Sequence, residues 1–112
     1  MPRVLVIDDQ REFAHKQGVV YAKTSKDGLR KLKEEKWDEL WLDYDLGGVD
    51  TTEPIVQYLE RMYYLKTMVP LKHIYIHSMN PVGHHAMFKA LSRIYPTSRI
   101  SPLEVGLVHP VH

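Results

Sequence analysis

Val4–Ile7 is an unbroken run of β-branched and leucine residues that stops abruptly at Asp8–Asp9. The construction recurs along the chain. Leu40–Leu42 ends in Asp43, and Ile74–Ile76 ends in His77–Ser78. Val19–Ala22 is a further short run. Such runs are too short for core helices. Being apolar throughout, they fit strands covered on both faces. Helical spacing fills the intervals. Ser25–Trp37 reads as a helix with Ser25 as cap and Leu29, Leu32 and Trp37 roughly on one face. Thr52–Leu65 reads as a second, with Pro54 near its first turn and Ile55, Val56, Leu59 and Met62 inward. A third runs from Asn80–Pro81 to about Tyr95, with Val82, Ala86, Met87, Ala90, Leu91 and Ile94 on its apolar face. Strands alternating with helices predict βαβ units: an α/β fold with a parallel sheet of four to five strands.

Two stretches resist this pattern. Only eleven residues, Asp8–Gly18, separate the first two runs. That is near the minimum for a parallel crossover, so a loop or single turn is expected there rather than a full helix. In the tail, Thr97–His112, a fifth strand fits either Arg99–Ile100 or Val105–Val108. The 112 residues suit one domain, 1–112.

Fifteen basic and 14 acidic residues leave a net charge of +1. This excludes a strongly basic nucleic-acid-coating protein, and DNA duplex binding is not expected. A local basic patch remains open. Without cysteine there are no disulfides, thiolate metal sites or cysteine nucleophile. No apolar run approaches the ~20 residues that span a bilayer, and no signal-peptide core is visible. The expectation is a soluble cytoplasmic protein without a membrane partner.

In an open parallel sheet the carboxyl ends of the strands share one edge, and ligands bind there. Asp8, Asp9, Asp43, Asp45, His77, Ser78 and Asn80 should therefore converge. Two carboxylates ~4 Å apart repel by about 1 kcal/mol in water and about 4 near a protein surface. Four of them need protons or a cation. An all-oxygen donor set favours Mg²⁺ or Mn²⁺. The plainer reading is that Asp8 and Asp9 turn the chain and Asp45 is solvated.

Asn80–Pro81 is a good N-cap and first-turn pair. A helix starting at this edge aims N–H groups at the crevice, and Gly83 would let an anion approach. His77 reads either as a buried, satisfied histidine or as a general acid or base. His84 and His85 read as solvated, and His109 and His112 as incidental. Lys31, Lys33 and Lys36 with Glu34 and Glu35 read as a solvated helix face. Tyr58, Tyr63 and Tyr64 read as packing or edging the second helix rather than stacking on bases.

VLVIDDQREF, LWLDYDLGGVD and IYIHSMNPVGHHAM together resemble a receiver domain, and most closely the cyclic-phosphate-processing receiver family of bacteria and phages. The matching blocks are Asp8–Asp9, Leu42–Gly47 and His77–Gly83, within roughly residues 3–95. The resemblance implies a receiver-like (flavodoxin-like) three-layer fold and an acidic Mg²⁺ pocket held by Asp8 and Asp9. It matches Asp43 to the phospho-accepting aspartate and Ser78 to the phosphoryl-contacting hydroxyl. The chain also departs from ordinary receivers. No lysine follows Lys89, the first helix is reduced or absent, and little chain remains for a C-terminal helix.

Three functions compete. The first is a metal-dependent phosphoesterase acting on a cyclic nucleotide or an RNA 2′,3′-cyclic phosphate end, as in RNA repair. There Asp8, Asp9, Asp43 and Asp45 hold Mg²⁺ or Mn²⁺, and Asp43, His77 and Ser78 are catalytic. Ser78, Asn80 and Gly83 bind phosphate. The second is a non-catalytic nucleotide- or protein-binding module. The third is a stand-alone signalling receiver phosphorylated on Asp43.

Overall fold

The structure is a computed structural model that describes residues 2–9, 18–78 and 80–102. Five strands form one parallel sheet: β1 Val4–Ile7, β2 Val19–Ala22, β3 Glu39–Leu42, β4 His73–Ile76 and β5 Ile100–Pro102. Their order is β2-β1-β3-β4-β5. From β1 the sheet is thus extended one way to β2 and the other way to β3, β4 and β5, which makes the gap between β1 and β3 the switch point at which open α/β sheets bind ligands. Three helices are described, α1 Ser25–Glu34, α2 Glu53–Tyr64 and α3 Pro81–Leu91, with a 3₁₀ turn at Thr97–Arg99.

The main core lies between the sheet and these helices. Leu5, Ile7, Leu40, Leu42, Ile74 and Ile76 meet Leu32 of α1, Ile55 and Leu59 of α2, and Met87 and Leu91 of α3. Val4, Val6 and Trp41 point to the opposite face and form a second buried cluster with Tyr75 against it. Trp41 and Tyr75 stack with ring centroids 4.2 Å apart. All four residues of β1 are buried, which explains its unbroken apolar run. No described helix is long and apolar enough to cross a membrane.

The helix ends differ from the sequence reading. Thr24, not Ser25, caps α1: its side chain accepts from the Asp27 N–H at 3.1 Å. The helix stops at Glu34, because Glu35 is extended. Trp37 nevertheless stays buried, its Nε1–H donating to the Lys31 carbonyl at 3.0 Å. It packs as the anchor of the turn into β3, not as a helix face. In α3, Val82 is exposed and Gly83 takes the inward place beside Met87 and Leu91. Ile94 and Tyr95 are buried after the helix has ended. The fifth strand settles at Ile100–Pro102, paired to β4. The alternative at Val105–Val108, the short β1–β2 connection and the two terminal expectations about helices fall on residues 10–17 and 103–112, outside the described residues, as do His109 and His112.

Candidate metal and phosphate site

The parallel ladder continues for one residue beyond each central strand. The Asp8 N–H donates to the Ala22 carbonyl, Asp43 to Ile7 and His77 to Leu42, at 3.0, 3.1 and 2.9 Å. These bonds hold Asp8, Asp43 and His77 side by side across β1, β3 and β4. By strand alternation all three follow the Val6, Trp41 and Tyr75 face. His77 accordingly meets Trp41 edge-on, with centroids 6.0 Å apart.

Asp8, Asp9 and Asp43 each bring a carboxylate oxygen within 4.8 Å of the others. Asp8 is buried, and Asp9 and Asp43 are half-buried. At this spacing each pair repels by about 3–4 kcal/mol at an effective permittivity of ~20. The all-oxygen donor set suits a hard divalent cation; neighbouring ligands on Mg²⁺ lie about 3 Å apart, so the carboxylates would draw in around it. Asp45 stands apart from this group. It is exposed, and its Oδ2 accepts from Asn80 Nδ2 at 3.2 Å.

Glycine makes the approach of the β3–α2 loop possible. Gly47 has φ +92°, and a Cβ there would sit 3.0 Å from Asp9 Oδ2. Asp50, which the sequence reading passed over, ties the same loop to α1. Its Oδ2 accepts from the Ser25 N–H at 2.8 Å, and its Oδ1 accepts from the Ser25 hydroxyl. Nothing local in the sequence pairs two residues 25 apart. Thr52 anchors the loop's far end, fully buried with its hydroxyl 3.0 Å from Met87 Sδ.

On the β4–α3 side, Ser78 is buried and its Oγ accepts from the Asn80 N–H at 3.1 Å. Asn80 caps α3 as its sequence suggested, Oδ1 accepting from the Gly83 N–H at 3.0 Å. The two N–H groups expected to face an anion are thus already engaged. Gly83 also has another reason to be glycine: a Cβ there would lie 2.3–2.8 Å from the Tyr44 ring. Tyr44 is held over it by a hydrogen bond to Glu53 Oε1, 3.0 Å, which raises the phenol's pKa. His77 is completely buried, its Nδ1 3.9 Å from Asp8 Oδ2. His77 is thus buried against Asp8 rather than displayed at the surface of the site.

The profile of the cyclic-phosphate processing receiver domain matches residues 3–93. The chain belongs to this family. The fold agrees. The receiver domain of the Francisella response regulator 1452 superposes with a TM-score of 0.56 at 17% identity, covering 93% of this chain and 84% of that one. No curated protein sequence matches the chain. The chain thus has a receiver-like fold, in which its own parallel strand ends converge at one edge.

Proposed function

We propose that this receiver domain is a metal-dependent phosphoesterase that opens a cyclic phosphodiester on a small nucleotide or an RNA end. The observation that carries this reading is the Asp8, Asp9 and Asp43 cluster at the carboxyl edge, in a family tied to cyclic phosphates. A divalent ion bound there would offset charge on the phosphoryl oxygens and lower the pKa of a bound water. Asp8, buried and fixed beside His77, sets the floor of the site. Asp9 and Asp43 complete the donor set from the more open side. The Ser78 hydroxyl accepts from Asn80 and keeps its own proton to donate to a phosphoryl oxygen. Asn80 and Asp45, bonded to each other, brace the rim.

A non-catalytic binding module is the second reading. Its support is the burial of His77, which takes an imidazole away from proton transfer, and the prior engagement of the Asn80 and Gly83 N–H groups, which leaves fewer donors for a developing anion. Turnover of 2′,3′-cyclic and 3′,5′-cyclic nucleotides and of a cyclic-phosphate-ended RNA, with Mg²⁺ or Mn²⁺, separates the readings. Hydrolysis abolished by chelation and by Asp43→Asn supports the enzyme. Full activity in Asp43→Asn overturns it. Tight binding without turnover selects the second reading. One phosphate added to Asp43 by acetyl phosphate would return the signalling function to consideration.

A further inference from the structure

The amino edge of the sheet, opposite the acidic cluster, has the opposite character. Two open hollows meet there at Met68. The first, about 420 Å³, has Trp37, Met68 and Leu71 in its wall and Lys36, Lys72 and Arg99 around it. The second, about 480 Å³, lies among Tyr63, Tyr64, Lys66 and Met68. Asp38 is the carboxylate among these lining residues, and it is already committed. Its Oδ2 accepts from the Arg3 N–H at 2.7 Å, and its Oδ1 lies 3.4 Å from Lys72 Nζ. Lys36, Lys66 and Arg99 add charge that it does not offset. Among the residues lining the two hollows, four cations face one carboxylate, while Glu35 and Glu39 of the same edge are engaged by Arg3 and by Trp41 Nε1–H.

Trp37 at this edge is core, with the Arg3 guanidinium 4.6 Å over its ring, but Tyr63 and Tyr64 are not. Tyr64 is 72% and Tyr63 41% exposed, their rings edge-to-face at 5.7 Å. Of the two expectations, packing on α2 or edging it, their exposure selects the edge. Tyr58, by contrast, packs against the core. Lys66 closes α2 with φ 61°, the left-handed position at which helices ordinarily place glycine. Its charge faces the helix's negative end, which offsets part of the strain.

From these observations we propose that the amino edge binds single-stranded nucleic acid. A strand repeats a planar base and a phosphate. The surface repeats a hollow beside an aromatic or apolar wall and a cation. Base stacking on exposed rings with phosphate pairing to lysine and arginine is the physics of strand binding without sequence preference. An acidic peptide would satisfy the cations but leave the exposed tyrosine faces unused. This site does not depend on the phosphoesterase reading.

The test is fluorescence anisotropy of the full chain with a labelled oligouridylate bearing hydroxyl ends, which cannot be a substrate. Binding should weaken with salt at a log–log slope of about −2, from three contacts worth about −0.7 each. Lys36→Ala and Arg99→Ala should each flatten the slope by about 0.7. Tyr64→Ala should weaken binding about tenfold. Lys66→Gly should weaken binding while raising Tm, because it removes charge and strain together. Amide shifts on titration should centre on Tyr63–Lys72 and Arg99. No binding, or binding indifferent to these substitutions in variants with native-like amide spectra, overturns the proposal. Displacement by oligoglutamate as readily as by RNA also overturns it, in favour of an acidic protein partner.

Discussion

His77 Nδ1 lies 3.9 Å from Asp8 Oδ2, and both side chains are buried. Moving a lone carboxylate out of water is costly unless charge or hydrogen-bonding partners compensate. The imidazole is one such partner of Asp8, and a bound cation would be another. Partners of this kind orient a ligand residue, and their loss commonly costs about 10–100-fold in metal affinity. His77→Ala should lower Mn²⁺ affinity in that range, read by calorimetry, and lower stability by about 2–4 kcal/mol through the cavity it leaves. Unchanged affinity in a destabilised but folded variant would make His77 a packing residue alone.

Gly47→Ala should disturb the same cluster from the other side. The left-handed backbone costs a non-glycine residue about 1–2 kcal/mol, and the new methyl would press on Asp9 Oδ2. Metal affinity should fall several-fold. Gly48→Ala is the control. It also has positive φ, but its Cβ would meet open space, so it should cost stability without moving metal affinity.

Tyr44 and Gly83 form a size-complementary pair. Gly83→Ala forces the ring away and breaks its hydrogen bond to Glu53. Overpacking of this kind costs about 1–3 kcal/mol. In Tyr44→Ala the same substitution should cost much less. Denaturant melts of the two single variants and the double variant measure the coupling. Additive effects would show that the two residues are energetically independent.

Tyr95 sets an alkaline limit on the fold. Burial pushes its phenol pKa well above the usual value, and its hydroxyl donates to the Val69 carbonyl at 2.6 Å. A raised folded-state pKa leaves this contribution intact below about pH 10, the unfolded value, and removes it as pH climbs through the folded one. Tm should therefore drop steeply above pH 10. Tyr95→Phe should start about 1 kcal/mol lower and lose less across the same range. Tyr75, also raised by desolvation, leaves a residual slope. An identical alkaline limb in Tyr95→Phe would assign the limit elsewhere.

Much of the architecture was legible because it is local. Val4–Ile7, Leu40–Leu42 and Ile74–Ile76 are apolar on every residue, and such runs fit only strands with both faces covered. The carboxyl ends of parallel strands share an edge, so the sequence positions of Asp8, Asp43 and His77 already imply that they converge. Caps were partly legible. Asn80 was legible because Pro81 follows it, whereas α1 is capped by Thr24 and not by Ser25, a neighbour of similar chemistry.

The chain alone therefore determined the strand ends, the acidic donors and the sheet that gathers them, because alternation and burial act over neighbouring residues. It did not determine which group each donor faces. Asp45 turned to Asn80, Gly83 made room for Tyr44, Asp50 reached Ser25, and His77 withdrew beneath Asp8. The cations of the amino edge likewise come from separate loops and the end of α2. Those pairings join residues far apart in sequence. Their partners are chosen by packing between elements, which periodicity does not encode and only the assembled tertiary structure decides.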